Sequence, residues 1–407
     1  MKSIRLFVFW AHLAVGVSAG LVIAVMSATG TLLAFKPQIL DIVERDARFV
    51  AQTDASAPRL SPSQLVEAAR AAQPHLPATA LTVERDPRRS AVVGFGRDQN
   101  LYLNPYSGAA LGPGSVRAQG LFRTFEDWHR WLGVSAENRG PARAITAAAN
   151  LAFLGLALSG VVLWWPWKSA GRGGRAMFTF KRGLAGRARD FNWHNVVGWW
   201  CASVLIVLTA SGVVMAYPWA NDLVYRVTHS PLPKPAPRPA REAAMLSPGN
   251  HDGHLPASAS IDELWRVAEE HLPTWRTMAL RFPPRGSRID ATMTDTRSWN
   301  AFARSQIAFD ARTGEVIEWQ PYEQSSLGQK VRGWLRYAHT GELGGWPAQF
   351  LAGLASLGGV VLVATGLALA CRRLWAYVRP RQADAPIRAA ARPRSPRRSA
   401  ARPETTG

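Results

Sequence analysis

Two histidines lie just inside long apolar segments of this chain, each in the same local pattern. His12 and His194 are both followed by a glycine four residues later and by a small-residue pair about eighteen residues later. Those pairs are Thr29-Gly30 and Ser211-Gly212. An ionisable side chain inside a membrane span costs free energy and by default indicates a functional site with a partner. The two histidines are natural partners for each other.

A second pair of histidines occupies matching places ahead of two further apolar runs. His129 lies in the block Phe125–Gly133, and His339 lies in the block Trp334–Glu342. The four histidines are therefore expected in two layers. His12 and His194 form the inner layer, and the other two form a layer at the outer edge of the membrane. Since His129 precedes its apolar run, the outer layer is expected near the interface.

Four segments carry almost no charge and exceed the roughly 20 residues that cross a bilayer. They are residues 6–35, 144–167, 191–221 and 343–371. A secretory signal has an apolar core of about 7 to 15 residues, so the longer first run is interpreted as an uncleaved anchor. The sequence predicts an α-helical membrane protein with four transmembrane helices.

The distribution of basic residues predicts how these helices are oriented. The loop 168–190 holds seven lysines and arginines against a single acid, and the tail 372–407 is also rich in arginine and is expected to be disordered. Positive residues collect on the cytoplasmic side, so both termini are expected in the cytoplasm. Segments 36–143 and 222–342 hold nearly all the acids and are expected to face outward. The net charge of +20 then reflects topology and does not indicate nucleic-acid binding.

The two outward segments contain matching patterns. Each begins with an amphipathic helix, at Ser61–Ala72 and Ile261–Glu270, and continues with alternating runs that predict strands. The turns Asn104–Gly108 and Asp310–Gly314 align at one offset. The predicted strands are residues 80–83, 91–95, 101–103, 278–282, 288–293 and 307–309. The chain is expected to contain one unit twice, namely a membrane helix, a small α+β module and a second membrane helix.

Three further features complete the predicted organisation. Residues 38–60 are expected to be irregular, and the proline-rich stretch 231–239 is expected to be an extended spacer. The two cysteines, Cys201 and Cys371, lie in the third and fourth apolar runs. No disulfide is therefore expected in the outward modules.

A pair of imidazoles that face each other across an apolar space is what axial ligation of haem iron requires. We therefore expect two non-covalent haem b groups. The first would be held by His12 and His194, and the second by His129 and His339.

Neighbouring residues fit such groups. Arg123, Arg130 and Arg336 lie beside the outer histidines in sequence and are expected to pair with haem propionates. Glycines in the spans are expected to leave room for the macrocycles. They are Gly16, Gly20, Gly155, Gly160, Gly198, Gly353, Gly358 and Gly359.

Other interpretations of these residues stay open. A single histidine in a span is more often a structural hydrogen-bonding residue, and glycines there are commonly helix-packing surfaces. Zinc would need three or four ligands at each site, and no cysteine or carboxylate is near either histidine pair. Four histidines at equivalent positions favour haem.

The remaining histidines and the tryptophans give weaker signals. His75, His229, His271 and the His251–His254 loop are expected to be exposed to solvent. Several tryptophans are expected in the interfacial belt, with lining of the haems as the alternative. They are Trp164, Trp165, Trp167, Trp199 and Trp200. No dinucleotide fingerprint or P-loop occurs, so a quinol or a separate flavoprotein is expected to supply electrons.

Together these motifs resemble the PepSY-associated transmembrane-helix family of iron-regulated bacterial inner-membrane proteins, some of which act as siderophore-iron reductases. The resemblance covers the chain to about residue 379. It is carried by His12–Gly30, Trp128–Leu132, Ser159–Pro166, Trp193–Asn195 and the module closures at Tyr106–Gly108 and Arg312–Glu315.

The resemblance implies two haems b and delivery of electrons to a ferric chelate, such as a ferric siderophore, in the periplasm. All four histidines named above match the family's ligand positions, although the block Arg336–His339 departs from the usual Leu-His-Arg. The expected function is a dihaem cytochrome that reduces ferric iron. The alternative is a non-enzymatic membrane anchor that presents two PepSY-like peptide- or protease-binding modules.

Overall fold

The computed structural model describes most of the chain. The described residues are 2–50, 58–96, 99–164, 178–233, 260–282, 288–298, 300 and 302–378. Several predicted features lie outside them. These are the spacer beyond Pro233, the His251–His254 loop, Trp165, Trp167, part of the basic loop and the tail from residue 379.

The described residues contain eleven α-helices. They are α1 (Lys2–Ala34), α2 (Lys36–Val43), α3 (Arg45–Arg48), α4 (Pro62–Ala72), α5 (Val116–Trp131), α6 (Arg139–Trp164), α7 (Gly186–Ala216), α8 (Pro218–Val227), α9 (Ile261–His271), α10 (Leu327–His339) and α11 (Gly345–Val378). Within the described ranges, four candidate spans are long and apolar enough to cross a membrane. They are formed by α1, by α5 with α6, by α7 and by α11.

Prolines end two of these spans at equivalent points. Helix α1 stops at Ala34, and the short α2 has Pro37 in its first turn. Helix α7 stops at Ala216, and α8 has Pro218 in its first turn. Proline lacks the N–H that would continue the preceding helix but is tolerated where a new one starts. The predicted span 191–221 therefore runs past the true end of its helix.

The segment after α1 is more regular than the sequence predicts. Residues 38–60 were expected to be irregular, but α2 and α3 occupy residues 36–48. The carboxylate of Glu44 between them is fully buried and accepts hydrogen bonds from Arg48 Nε at 2.6 Å and Gln119 Nε2 at 2.7 Å. A buried charge needs such partners, and these tie the short helices to α5.

Eight described strands form one antiparallel sheet. They are β1 (Ala80–Glu84), β2 (Ala91–Phe95), β3 (Gln99–Leu103), β4 (Ala110–Gly112), β5 (Trp275–Arg281), β6 (Arg288–Asp295), β7 (Arg304–Asp310) and β8 (Val316–Gln320). Their order is β4-β3-β2-β1-β5-β6-β7-β8, so β1 and β5 join the two segments. The sequence analysis treats these segments as two modules, whereas the strands share one sheet. Each module alone would expose the unpaired edge of its first strand.

The two segments also share one core on one face of this sheet. Leu65 of α4 and Leu264 of α9 pack with Leu81, Met278 and other buried strand residues in a single apolar cluster. Asp262, in the first turn of α9, accepts hydrogen bonds from the backbone N–H of Ser63 at the start of α4. The sheet with α4 and α9 is called the sheet layer below.

The membrane helices pack so that α1 and α7 each contact both α6 and α11. Helix α5 packs against α1, and α10 packs against α7. The sheet layer follows the C-terminal ends of α1 and α7 in the chain. It therefore lies at the opposite end of the bundle from the first residues of these two helices.

The joined sheet can be tested with a cross-strand disulfide between Thr82→Cys and Ala279→Cys. These residues are paired across β1 and β5. They lie between the hydrogen-bonded positions, where side chains approach most closely. We expect spontaneous oxidation, measured as loss of two free thiols and as an intramolecular cross-link after proteolysis.

The matched control is Thr82→Cys with Thr292→Cys. Thr292 is paired with Ala279 on the far side of β5. Residues 82 and 292 are separated by two strand spacings of about 4.8 Å each. The resulting distance of about 9.6 Å exceeds the limit of roughly 7 Å between the Cα atoms of a disulfide. Equal cross-linking of both pairs, or of neither, would contradict the β1–β5 junction.

Candidate functional site: two facing histidine pairs

The four histidines meet in two pairs, as their spacing predicts. The ring centroids of His12 and His194 are 6.4 Å apart, with an interplanar angle of 84°. Those of His129 and His339 are 6.3 Å apart, with an angle of 63°. In each pair, one ring comes from the part of the chain from α1 to α6 and the other from the part from α7 to α11, and these two parts are called the halves of the chain below.

The inner histidines are held by hydroxyls on neighbouring helices. The Nδ1 of His12 lies 2.8 Å from Ser159 Oγ on α6. The Nδ1 of His194 lies 3.0 Å from Thr365 Oγ1 on α11. Both rings are thereby positioned from a helix other than their own.

The outer histidines are held in the same manner from α1 and α7. His129 Nδ1 lies 3.1 Å from Thr29 Oγ1 and 3.0 Å from the carbonyl of Met26. His339 Nδ1 lies 3.2 Å from Ser211 Oγ and 2.8 Å from the carbonyl of Leu208. These contacts bring residues at the C-terminal ends of α5 and α10 back against the first helix of each half.

The hydroxyls determine which ring nitrogen carries the proton. Each of the four donates its single hydrogen to a carbonyl one turn earlier in its own helix, at 2.7–3.2 Å. It can then only accept from the histidine. All four imidazoles are therefore assigned the tautomer with Nδ1–H, which leaves the lone pair of Nε2 for a ligand or metal.

A glycine follows each of these hydroxyl residues. The four pairs are Thr29-Gly30, Ser159-Gly160, Ser211-Gly212 and Thr365-Gly366. At three of the glycines, the imidazole lies within 3.3–3.7 Å of the position that a Cβ would occupy. A Cβ on Gly30 would be 3.3 Å from His129 Cε1, one on Gly160 3.7 Å from His12 Cε1, and one on Gly366 3.3 Å from His194 Cε1. The role of Thr365 was not predicted, although the fourfold recurrence of a hydroxyl residue before a glycine indicates it.

The two layers are well separated along the bundle. On α1 and α7, the contacts to the outer histidines are 14 to 17 residues beyond His12 and His194. At 1.5 Å per residue the layers are about 21 to 26 Å apart. This is most of the roughly 30 Å hydrocarbon thickness of a bilayer.

The inner pair faces a large cavity bounded by α1, α6, α7 and α11. Its volume is about 980 Å³. Five glycines line it, so the helix surfaces there are open: Gly16, Gly20, Gly160, Gly198 and Gly366. The stacked rings of Trp164 and Trp199, with centroids 3.9 Å apart, also line it. Of the predicted tryptophan belt, these two therefore lie at the cavity, whereas Trp200 is 65% exposed.

Three other glycines of the spans serve helix packing. A Cβ on Gly353 would be 2.5 Å from Phe35, one on Gly358 2.5 Å from Cys201 Sγ, and one on Gly359 2.7 Å from Ser27 Oγ. Such distances are too short for a side chain, so these positions allow close helix approach. The expectation that they make room for a macrocycle is wrong.

The arginines predicted beside the outer pair are exposed. Arg130 lies over the ring of Trp131, with its guanidinium carbon 4.2 Å from the ring centroid. Arg123 and Arg336 are also exposed. A different set of arginines, which the sequence analysis did not select, lines the inner cavity: Arg5, Arg187, Arg372 and Arg373. Of the remaining histidines, His75, His229 and His271 are exposed, as predicted.

In each pair, both imidazoles would be within reach of one shared metal ion. A metal–nitrogen bond of about 2.0 Å and about 1.1 Å from that nitrogen to the ring centroid give centroids about 6.2 Å apart. The observed separations are 6.4 and 6.3 Å. In the part of the chain that the structure describes, no group of three or more His, Cys, Asp or Glu side chains could hold a metal ion. A metal held by either pair would need its other ligands from a bound group, and a porphyrin supplies four nitrogens.

The fold defines a membrane protein in which four helical spans carry an antiparallel sheet layer. The PepSY-associated TM region family matches residues 9–373, and the chain belongs to this family. Comparison with curated proteins found no similar sequence.

Proposed function

We propose that this protein is a dihaem b-type cytochrome of the bacterial inner membrane that carries electrons outward and reduces ferric iron in the periplasm. The observation that carries the proposal is the geometry of the two histidine pairs. Each has the centroid separation of axial imidazoles, and each ring has Nδ1 hydrogen-bonded and Nε2 left for a metal. Metal-ligating histidines almost always donate their other N–H in this way.

Each layer of histidines would hold one haem. His12 and His194 would hold the inner haem within the cavity of about 980 Å³. His129 and His339 would hold the outer one. The haems would supply one-electron redox chemistry, while the chain orients them and shields them from water.

The basic residues at one end of the bundle support the outward direction of electron transfer. The described residues Lys181, Arg182, Arg187 and Arg189 lie around the start of α7, and Arg372 and Arg373 lie near the end of α11. The positive-inside rule places this end in the cytoplasm. The sheet layer would then be periplasmic and lie beside the outer histidines.

The electron donor and the electron acceptor can each be proposed as a chemical class. Two histidines would hold each haem iron, so electrons would pass to an acceptor nearby and not to one bound to the iron. The family resemblance favours a ferric chelate such as a siderophore. A quinol from the bilayer or a separate flavoprotein would supply the electrons.

Replacement of single histidines tests the cofactor assignment. We expect the purified protein to show a Soret band, a reducible α band and two haems per chain. Each of His12→Ala, His194→Ala, His129→Ala and His339→Ala should lower this number to one, because an axial ligand is lost. His271→Ala, at an exposed histidine, is the control and should keep both haems. A folded, colourless protein would instead support the membrane-anchor alternative.

The hydroxyl partners can be tested separately from the ligands. Ser159→Ala and Thr365→Val remove the acceptors of the inner Nδ1–H groups. Loss of such a partner typically weakens metal binding by about 10- to 100-fold, and we expect this loss for inner haem, measured by competition with apomyoglobin. Ser18→Ala is the control, because Ser18 is exposed and donates a hydrogen bond to the carbonyl of Val15 in its own helix. Unchanged haem affinity in both variants would refute the assigned tautomers.

The acceptor is tested by rapid mixing without oxygen. Chemically reduced protein in lipid vesicles is mixed with a ferric hydroxamate, while a ferrous chelator reports the product. We expect the reduced α band to fade as ferrous iron appears. His129→Ala/His339→Ala should stop the reaction, because removal of the outer centre lengthens the path by about 20 Å. If the haem of the wild-type protein stays reduced, ferric chelates are not its acceptors. The protein would then be an electron carrier that serves another protein.

A further inference from the structure

Four arginines line one end of the inner cavity. Arg5 comes from α1, Arg187 from α7, and Arg372 and Arg373 from α11. No aspartate or glutamate is among the described residues that line this cavity. The cavity is therefore apolar around the histidines and strongly positive at one end.

The sequence spacing places two of these arginines on the same helix faces as the inner histidines. Arg5 is seven residues before His12, and Arg187 is seven residues before His194. Seven residues are about two helical turns, so each arginine is on the face of its histidine and about 10 Å closer to the helix start. Arg372 is likewise seven residues beyond Thr365, the partner of His194.

Some donors at this end have acceptors and others have none. Arg5 donates to the carbonyl of Leu163 at 2.8 Å, and Arg372 lies 3.2 Å from the carboxylate of Asp190. In contrast, the buried Arg373 Nε and the indole Nε1 of Trp164 have no hydrogen-bond partner among the described residues. Trp164 is only 7% exposed, and both residues line the cavity. Buried donors are nearly always paired, so these point to an acceptor on a bound group.

We propose that this basic end binds both propionates of the haem held by His12 and His194. The inference rests on the proposed function and adds the orientation of the inner haem, with its carboxylates directed toward the start of α1 and α7. Haem carries its two carboxylates on one edge, and guanidinium groups bind carboxylates through paired charged hydrogen bonds. Arg373 and Arg187 provide the cationic contacts, with Trp164 Nε1 as a neutral donor.

The test compares haem b with haem dimethyl ester, whose carboxylates are capped. The full-length His129→Ala/His339→Ala protein, which keeps only the inner pair, is titrated with each haem in detergent, and binding is followed by the Soret band. We expect the ester to bind about 10- to 100-fold more weakly, as for the loss of about one hydrogen bond to a charged group.

Substitutions then assign the effect to residues. Arg187→Gln/Arg373→Gln should weaken haem b by about 10- to 100-fold and leave the ester unchanged. Arg182→Gln, an exposed arginine outside the cavity lining, is the control for charge and should change neither. Because the comparison of haem b with its ester needs no arginine substitution, an arginine variant that misfolds does not prevent the test.

The outcomes separate this inference from the function. The propionate site is wrong, and the cytochrome assignment stands, in either of two cases. In the first, haem b and its ester bind to the inner pair with equal affinity. In the second, Arg187→Gln/Arg373→Gln weakens the binding of haem b and of the ester equally. If neither haem binds, the proposed function itself fails.

Discussion

The hydrogen bond from each histidine Nδ1 to a hydroxyl on a neighbouring helix is the contact on which the rest of this structure depends. It fixes the tautomer, the ring rotation and the direction of the Nε2 lone pair at four positions. Because the hydroxyl belongs to another helix, the bond also fixes how two helices lie against each other. Three of the hydroxyl residues, Thr29, Ser211 and Thr365, are buried, so an imidazole without its partner there would leave polar atoms unsatisfied. Site geometry and helix packing are thus set by the same contacts.

The two halves of the chain complete each other at both ends of the molecule. In the bundle, each histidine pair takes one ring from each half, so neither half contains a complete pair. In the sheet layer, β1 of one half pairs with β5 of the other, and α4 and α9 cover a common core. The packing of one half against the other therefore pairs the edge strands β1 and β5 and also brings the imidazoles together. A shift of one half against the other would disturb the sheet register and the histidine pairs together.

Charge is distributed to match this arrangement. Arginines collect at the end of the bundle where α1 and α7 begin, and they border the inner cavity. At the other end, the buried Glu44 and its partners tie the short helices after α1 to α5, which carries His129. The end of the inner cavity that these arginines line is therefore suited to anionic groups. The other end holds the outer histidines against α1 and α7.

The sequence by itself determined the four spans, the pairing of His12 with His194 and of His129 with His339, and most strands and both helices of the sheet layer. These follow from local signals: apolar length, the spacing of a histidine from a glycine, period-two alternation and the capping residue Ser61. Only the tertiary structure decided that the two modules share one sheet, that Thr365 holds His194, and that arginines line the inner cavity instead of the outer pair. Those facts join residues 150 or more positions apart, as with Leu81 and Leu280. Local pattern carries no information about which distant surfaces meet, because that choice depends on burying complementary faces and satisfying polar groups across the whole molecule.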